Sequence, residues 1–216
     1  MAYLHVTFVP VRGLRYSKTV TSDRGLDLTE RLVDRQVVHR GNYMTFARDT
    51  VLDADGRRHT RDVVLHPGAV TIVAILPDRR LLLVRQYRHA AGEALLELPA
   101  GTLDRQPDGS IEERLPAAKR ELTEETGYRA GRWRELATFF TAPGFASELM
   151  TMFLATQVEP DPDFRGPDPD ERLILEAIPF EDALALAHSA QIRDAKTILG
   201  LYMVDALARA GEVTVL

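Results

Sequence analysis

The sequence contains no cysteine, which excludes disulfides, thiolate metal sites and cysteine nucleophiles and fits a reducing compartment. No apolar run approaches the roughly 18 residues needed to span a bilayer. The opening stretch MAYLHVTFVPVRG carries neither a charged n-region nor a small-residue cleavage site. A cytoplasmic protein without membrane contact is expected. Positive charge is not in excess either: the formal net charge is -5 over 216 residues, so nothing global recruits nucleic acid. The 6 histidines show no zinc spacing and read as structural or surface residues. Internal repeats and low-complexity tracts are missing. What is present is an ordinary globular composition, 45% hydrophobic and 27% charged, long enough for one well-buried domain and an appendage.

The pattern along the chain points to an α/β architecture around a mixed sheet. Residues 1–65 read as strands and turns, including the run Val37 to Val51 and a turn at Asp53-Ala54-Asp55-Gly56. Ala69 to Leu76 is a continuous buried strand, Pro77-Asp78 turns it, and Leu81 to Arg85 returns. A short strand at 95–98 ends at Pro99. A helix is predicted from about Pro116 to Thr126, with Gly127 as its C-terminal cap. Strands at 135–140 and 149–155 precede an acidic, proline-rich loop from Glu159 to Glu171. A strand at 173–178 and helices near 180–188 and 194–210 finish the chain, the last capped by Asp194.

The most informative segment is Arg120-Glu121-Leu122-Thr123-Glu124-Glu125-Thr126-Gly127-Tyr128. At about 100° per residue, Glu121, Glu124 and Glu125 share one helix face, beside an apolar face of Leu115, Ala118 and Leu122. Like charges at this spacing repel, and more strongly where the dielectric falls near a sheet. A hard divalent cation relieves the repulsion, since Mg²⁺ favours carboxylate oxygens and keeps several waters. A bound water can then serve as nucleophile while the metal neutralises phosphate oxygens. The competing reading is a solvated acidic face. It must also accommodate Arg120, the capping Gly127 and the upstream Glu112, and it is the weaker of the two.

This segment resembles the Nudix box: a glycine, five residues, Glu, seven residues, then Arg-Glu-apolar-x-Glu-Glu-x-Gly-apolar. Glu112 stands eight residues before Arg120, and Glu121, Glu124, Glu125, Gly127 and Tyr128 fit the rest. The first half departs, because the glycine position falls on Gln106 and the glycine of the Leu98-Pro99-Ala100-Gly101 run lies five residues earlier. An insertion within Asp104 to Ser110, absorbed by an exposed loop, accounts for the difference. The runs Val84-Arg85-Gln86-Tyr87-Arg88, Glu97 to Gly101 and Asp194 to Ile198 resemble the ADP-ribose pyrophosphatase branch of that family. So does Pro143, fifteen residues beyond Tyr128.

The resemblance implies a Nudix α/β/α sandwich with a mixed β-sheet over residues 66–216, preceded by an N-terminal β region, 1–65, that helps form a homodimer. It implies Mg²⁺, with Mn²⁺ as an alternative, held by Glu121, Glu125, Glu124 and the carbonyl of Ala100. Arg120 and Glu112 would support that cluster, with Gly101 and Gly127 structural. Arg88 would bind the phosphates of a nucleoside diphosphate, with Tyr43, Arg61, Pro143 and Glu148 as further substrate contacts. Glu171, with Asp170 beside it, would be the base, and Glu148 and Glu97 second-rank acids. The implied reaction is hydrolysis of ADP-ribose to AMP and ribose 5-phosphate. Its rivals are a sugar-nucleotide hydrolase and a catalytically silent nucleotide-sensing module. Retained box carboxylates and the lack of a basic C-terminal extension weigh against the silent module.

Overall fold

The computed structural model describes residues 27–165 and 172–213. Three strands, β1 (Arg31–Arg40), β2 (Thr45–Leu52) and β3 (Arg58–Leu65), form an antiparallel sheet in the order β1-β2-β3. The turn expected at Asp53 to Gly56 joins β2 to β3, with Leu52 opposite Arg58 and Gly56 at a φ of 79°. That left-handed value suits glycine.

The rest of the chain supplies β4 (Ala69–Ile75), β5 (Arg80–Arg88), β6 (Glu93–Glu97), β7 (Ala100–Thr102), α1 (Arg114–Thr126), β8 (Tyr128–Phe140), β9 (Leu149–Pro160), β10 (Leu173–Pro179), α2 (Phe180–His188) and α3 (Ala195–Arg209). The central sheet runs β10-β5-β4-β9-β8. It is mixed, because β4 lies parallel to β9 while β5 runs antiparallel to both β4 and β10. The β4–β5 hairpin pairs only at Ala74–Leu82 and Ile75–Leu81 and then splays. Into the opening come β6, paired with β5, and β7, paired with β4.

Alternation along β4 explains the layers. Val70, Ile72 and Ala74 pack with Ala118 and Leu122 of α1. Val73 and Ile75 face the other way, onto Phe180 of α2 and Leu201 of α3. Side chains two apart share a sheet face, and a strand covered on both faces has no polar side to show. The continuous apolar run therefore produces the α/β/α sandwich expected from the sequence.

Two boundaries and one packing position differ from the sequence reading. Helix α1 begins at Arg114 rather than Pro116; a proline in the first turn lacks only an N–H that has no helical partner there. Leu115 lies outside the apolar face, 36% exposed, and Ala117 takes its place. Strand β8 starts directly after Gly127 and is much longer than 135–140, since its pairing with β9 continues from Phe140–Leu149 to Tyr128–Pro160. Gly127 caps α1 as expected, at φ 72°, donating to the Thr123 carbonyl at 2.8 Å. Asp194 caps α3, accepting from the Thr197 backbone N–H at 2.9 Å. No helix among the described residues is long and apolar enough to cross a membrane.

Candidate active site

Helix α1 delivers two carboxylates to the sheet edge, not three. Glu121 and Glu125 are buried, 7% and 5% exposed, whereas the Glu124 side chain is 48% exposed. The three positions span about 100° of helix circumference. The sheet edge covers the 121/125 end of that arc and leaves Glu124 outside. Glu124 instead accepts from Arg120 Nη1 at 2.8 Å.

Arg120 is the hub of the cluster. Its Nη1 also lies 2.8 Å from Glu121 Oε1, and its Nη2 is 2.9 Å from Glu112 Oε2. The hydrogen bond from Arg120 holds the Glu112 carboxyl below the usual range, against a smaller opposing effect of burial. In return the bond to Glu112 raises the guanidinium above its ordinary value. Glu112 reaches Arg120 because the segment before it closes on itself. Gln106 N–H donates to the Ser110 carbonyl at 2.8 Å, and Arg105 bridges to Ile111.

Strand β7 faces α1 at close range. The Ala100 N–H donates to Glu125 Oε2 at 3.0 Å. Gly101 lies against the Glu121 carboxyl, where a Cβ would be 1.9 Å from Cδ. Any side chain at this position would displace the Glu121 carboxyl. A cleft of about 870 Å³ opens over this junction, lined by Tyr43, Gln86, Arg88, Ala100, Glu121 and Glu125 among others. It adjoins a second compartment of about 820 Å³ that shares Tyr43, Arg88, Ala100 and Gly101. The second compartment is more apolar, with Phe139, Phe140 and Phe145 on its walls beside His66, Glu148 and Lys196.

Among the described residues no group of three or more His, Asp or Glu side chains forms a ready-made metal cage. The donors that do converge are the Glu121 and Glu125 carboxylates on α1, with Ala100 beside them on β7. Two carboxylates and open cleft volume fit a hard cation that retains waters and takes substrate oxygens. They do not fit a closed structural site.

Arg88, at the end of β5, lines both compartments. It is not a free surface arginine: Nε and Nη2 donate to Glu97 Oε1 and Oε2, each at 2.8 Å. Glu97 is 1% exposed and also contacts the Lys196 ammonium. Burial alone would raise the Glu97 carboxyl, but the hydrogen bond from Arg88 and the charge of Lys196 bring it below the usual range.

The other expected contacts separate. Tyr43 lines both compartments, but it sits in the turn between β1 and β2 rather than in a strand. Glu148 lines the second compartment, accepting from the Thr141 hydroxyl and standing 3.6 Å from His66 Nε2. Arg61 and Pro143 lie elsewhere, together in a third cavity of about 450 Å³, where Arg61 is paired with Glu30. Glu171 and Asp170 lie outside the described residues.

Two participants had been assigned no role from the sequence. Lys196 occupies the second position of α3, where a cation opposes the helix dipole; that misfit is the signal that a carboxylate partner is nearby. His66 is one of the histidines expected to be structural or surface residues. Its side chain is 7% exposed, and its Nδ1 accepts from the Gly68 N–H at 3.1 Å. Burial lowers its pKa, with Glu148 opposing. It is a neutral wall of the second compartment.

Comparison with known proteins agrees with this geometry. A family model described as NUDIX domain matches residues 65–199. An ADP-ribose pyrophosphatase of Bacillus subtilis (strain 168) is 34% identical over 170 residues, covering 79% of this chain and 89% of the relative. A methanol dehydrogenase activator of Bacillus methanolicus is 31% identical over 172 residues, covering 80% and 90%. A crystal structure of an ADP compounds hydrolase superposes with a TM-score of 0.71 at 25% identity, covering 87% of this chain and all (100%) of that one. With the glutamate helix, the Gly101 contact and the splayed hairpin in place, the chain belongs to the Nudix family.

Proposed function

We propose that the chain hydrolyses ADP-ribose to AMP and ribose 5-phosphate. The carrying observation is the buried Glu121 and Glu125 pair opening onto the same cleft as Arg88. The 34% identity to an ADP-ribose pyrophosphatase supports the choice of substrate. Glu121, Glu125 and the Ala100 carbonyl would hold Mg²⁺, with Mn²⁺ as an alternative. Such an ion, when bound, neutralises phosphate oxygens and lowers the pKa of water. Arg88 binds the diphosphate, presenting the guanidinium edge that Glu97 leaves open. The aromatic second compartment, with Tyr43 at its border, takes a sugar or base. Water adds across the P–O–P bridge: one phosphorus gains the hydroxyl, the other phosphate departs with the bridging oxygen. A general base must accept the proton of that water, and the Glu171 carboxylate is the proposed base.

The test is a panel of ADP-ribose, GDP-mannose, UDP-glucose, NADH and diadenosine polyphosphates with Mg²⁺. ADP-ribose is expected to show the highest kcat/KM, with AMP and ribose 5-phosphate as products. A sugar nucleotide turned over faster would replace the substrate, and ADP-ribose binding without any phosphate-containing product would replace the enzyme by a sensor.

We also propose that residues 1–65 act as a dimerisation region in a cytoplasmic homodimer. Every residue of β1 is exposed in the single chain, including Leu32, Val33, Val37 and Val38. Exposed apolar side chains on an open edge strand favour a protein partner. Light scattering is expected to give twice the mass of one chain, and Val38→Asp to shift the protein toward monomer. A monomeric native protein would end this proposal.

A further inference from the structure

The buried Glu97 binds two cations at once, and the phosphate-binding role given to Arg88 accounts for only one of them. Arg88 donates to both carboxylate oxygens, and the Lys196 ammonium shares Oε2. Lys196 also lies 3.0 Å from Asp194 Oδ1. The acid is the most buried of the three: Glu97 is 1% exposed, the Lys196 side chain 10% and the Arg88 side chain 40%. Both cations line the second compartment, and Arg88 continues into the first. We propose that Lys196 is a second phosphate-binding cation of the cleft, and that Glu97 is the positioning residue that fixes Lys196 and Arg88 side by side. This rests on the reading of the cleft as a diphosphate site.

A purely structural explanation would have the cluster tie α3 to the sheet. That tie already exists without Lys196. The Leu98 N–H donates to Thr197 Oγ1 at 2.8 Å, and Gly200 brings α3 so close that a Cβ there would stand 2.7 Å from Leu98 Cδ1. Asp194 is engaged as the helix cap. Lys196 therefore carries an electrostatic cost at a helix N-terminus that the docking of α3 does not require. A flexible ammonium is a poor anion site unless its stem is fixed. Two contacts to carboxylates fix it here.

The sign of one substitution separates positioning from simple countercharge. Glu97→Gln removes a negative charge from the cluster, so a countercharge role predicts tighter anion binding. Positioning predicts weaker binding in spite of the added positive charge. Inorganic pyrophosphate and ADP-ribose would be titrated calorimetrically in chelator, without metal, into wild type, Glu97→Gln, Lys196→Met and Lys196→Arg, alongside turnover with Mg²⁺. Lys196→Met is expected to weaken pyrophosphate binding about tenfold and to raise KM more than it lowers kcat, with Lys196→Arg restoring part of the loss. Glu97→Gln is expected to lower kcat/KM by about 10- to 100-fold, the scale of small misplacements near reacting groups. Unchanged pyrophosphate binding in Lys196→Met, or tighter binding in Glu97→Gln, would overturn the inference. If Glu97→Gln fails to fold, Lys196→Met decides alone. If wild type leaves ADP-ribose intact, the substrate reading falls, and the pyrophosphate titrations still judge the anion site.

Discussion

Replacing Glu125 by Gln will leave the protein folded and lower turnover of ADP-ribose by at least about 10³-fold, a loss on the scale of removing a principal transition-state charge contact. The fold survives because the amide keeps the shape and one acceptor oxygen. The Ala100 N–H, 3.0 Å from Glu125 Oε2, retains its partner. What is lost is charge at the one place on the described chain where two buried carboxylates open onto a cleft. Glu121 cannot make up the loss, since Arg120 already lies 2.8 Å from its Oε1. Glu124→Gln serves as the contrast. Its side chain is 48% exposed and bonded to Arg120, so a loss below about tenfold is expected, as for other exposed ion pairs. Steady-state rates with Mg²⁺ and thermal unfolding of both variants check the prediction. Near-normal turnover in Glu125→Gln would remove the metal assignment.

The sandwich was legible because its causes are local. The continuous apolar run of β4, the Pro77-Asp78 turn, Gly127 and Asp194 each act within a few residues. The glutamate helix was legible for the same reason, apart from the direction of Glu124. Helical phase places 121, 124 and 125 within one arc, but only the docking angle on β7 decides which end of the arc is covered. Arg88 illustrates the next limit. Its sequence position says that a guanidinium stands at a strand end; its use depends on Glu97, nine residues away, and on Lys196 on another element. Arg61 and Pro143 illustrate the last. Both were inferred by analogy with relatives, and in the single chain they share a separate cavity with Glu30 and Asp49. Contacts made across tertiary or subunit distances leave no periodic trace in a single sequence.

Gly101→Ala tests the close contact on which the glutamate pair depends. The added Cβ would lie 1.9 Å from Glu121 Cδ and 2.0 and 2.3 Å from its two oxygens, well inside van der Waals contact. Strand β7 cannot retreat cheaply, because Val70 pairs with Gly101 and Thr71 with Ala100. The carboxylate must therefore move, and it leaves both the cleft and its ion pair with Arg120. A loss of about 10²-fold or more in turnover is expected from such a displacement, with about 1–3 kcal/mol of stability lost to overpacking. A second substitution separates the two effects. Adding Glu121→Ala to Gly101→Ala removes the obstructing carboxyl, so denaturant unfolding should recover most of the lost stability while turnover stays low. If Gly101→Ala alone turned over substrate like the native protein, Glu121 would not need its observed position, and the chemistry would have to lie elsewhere in the cleft.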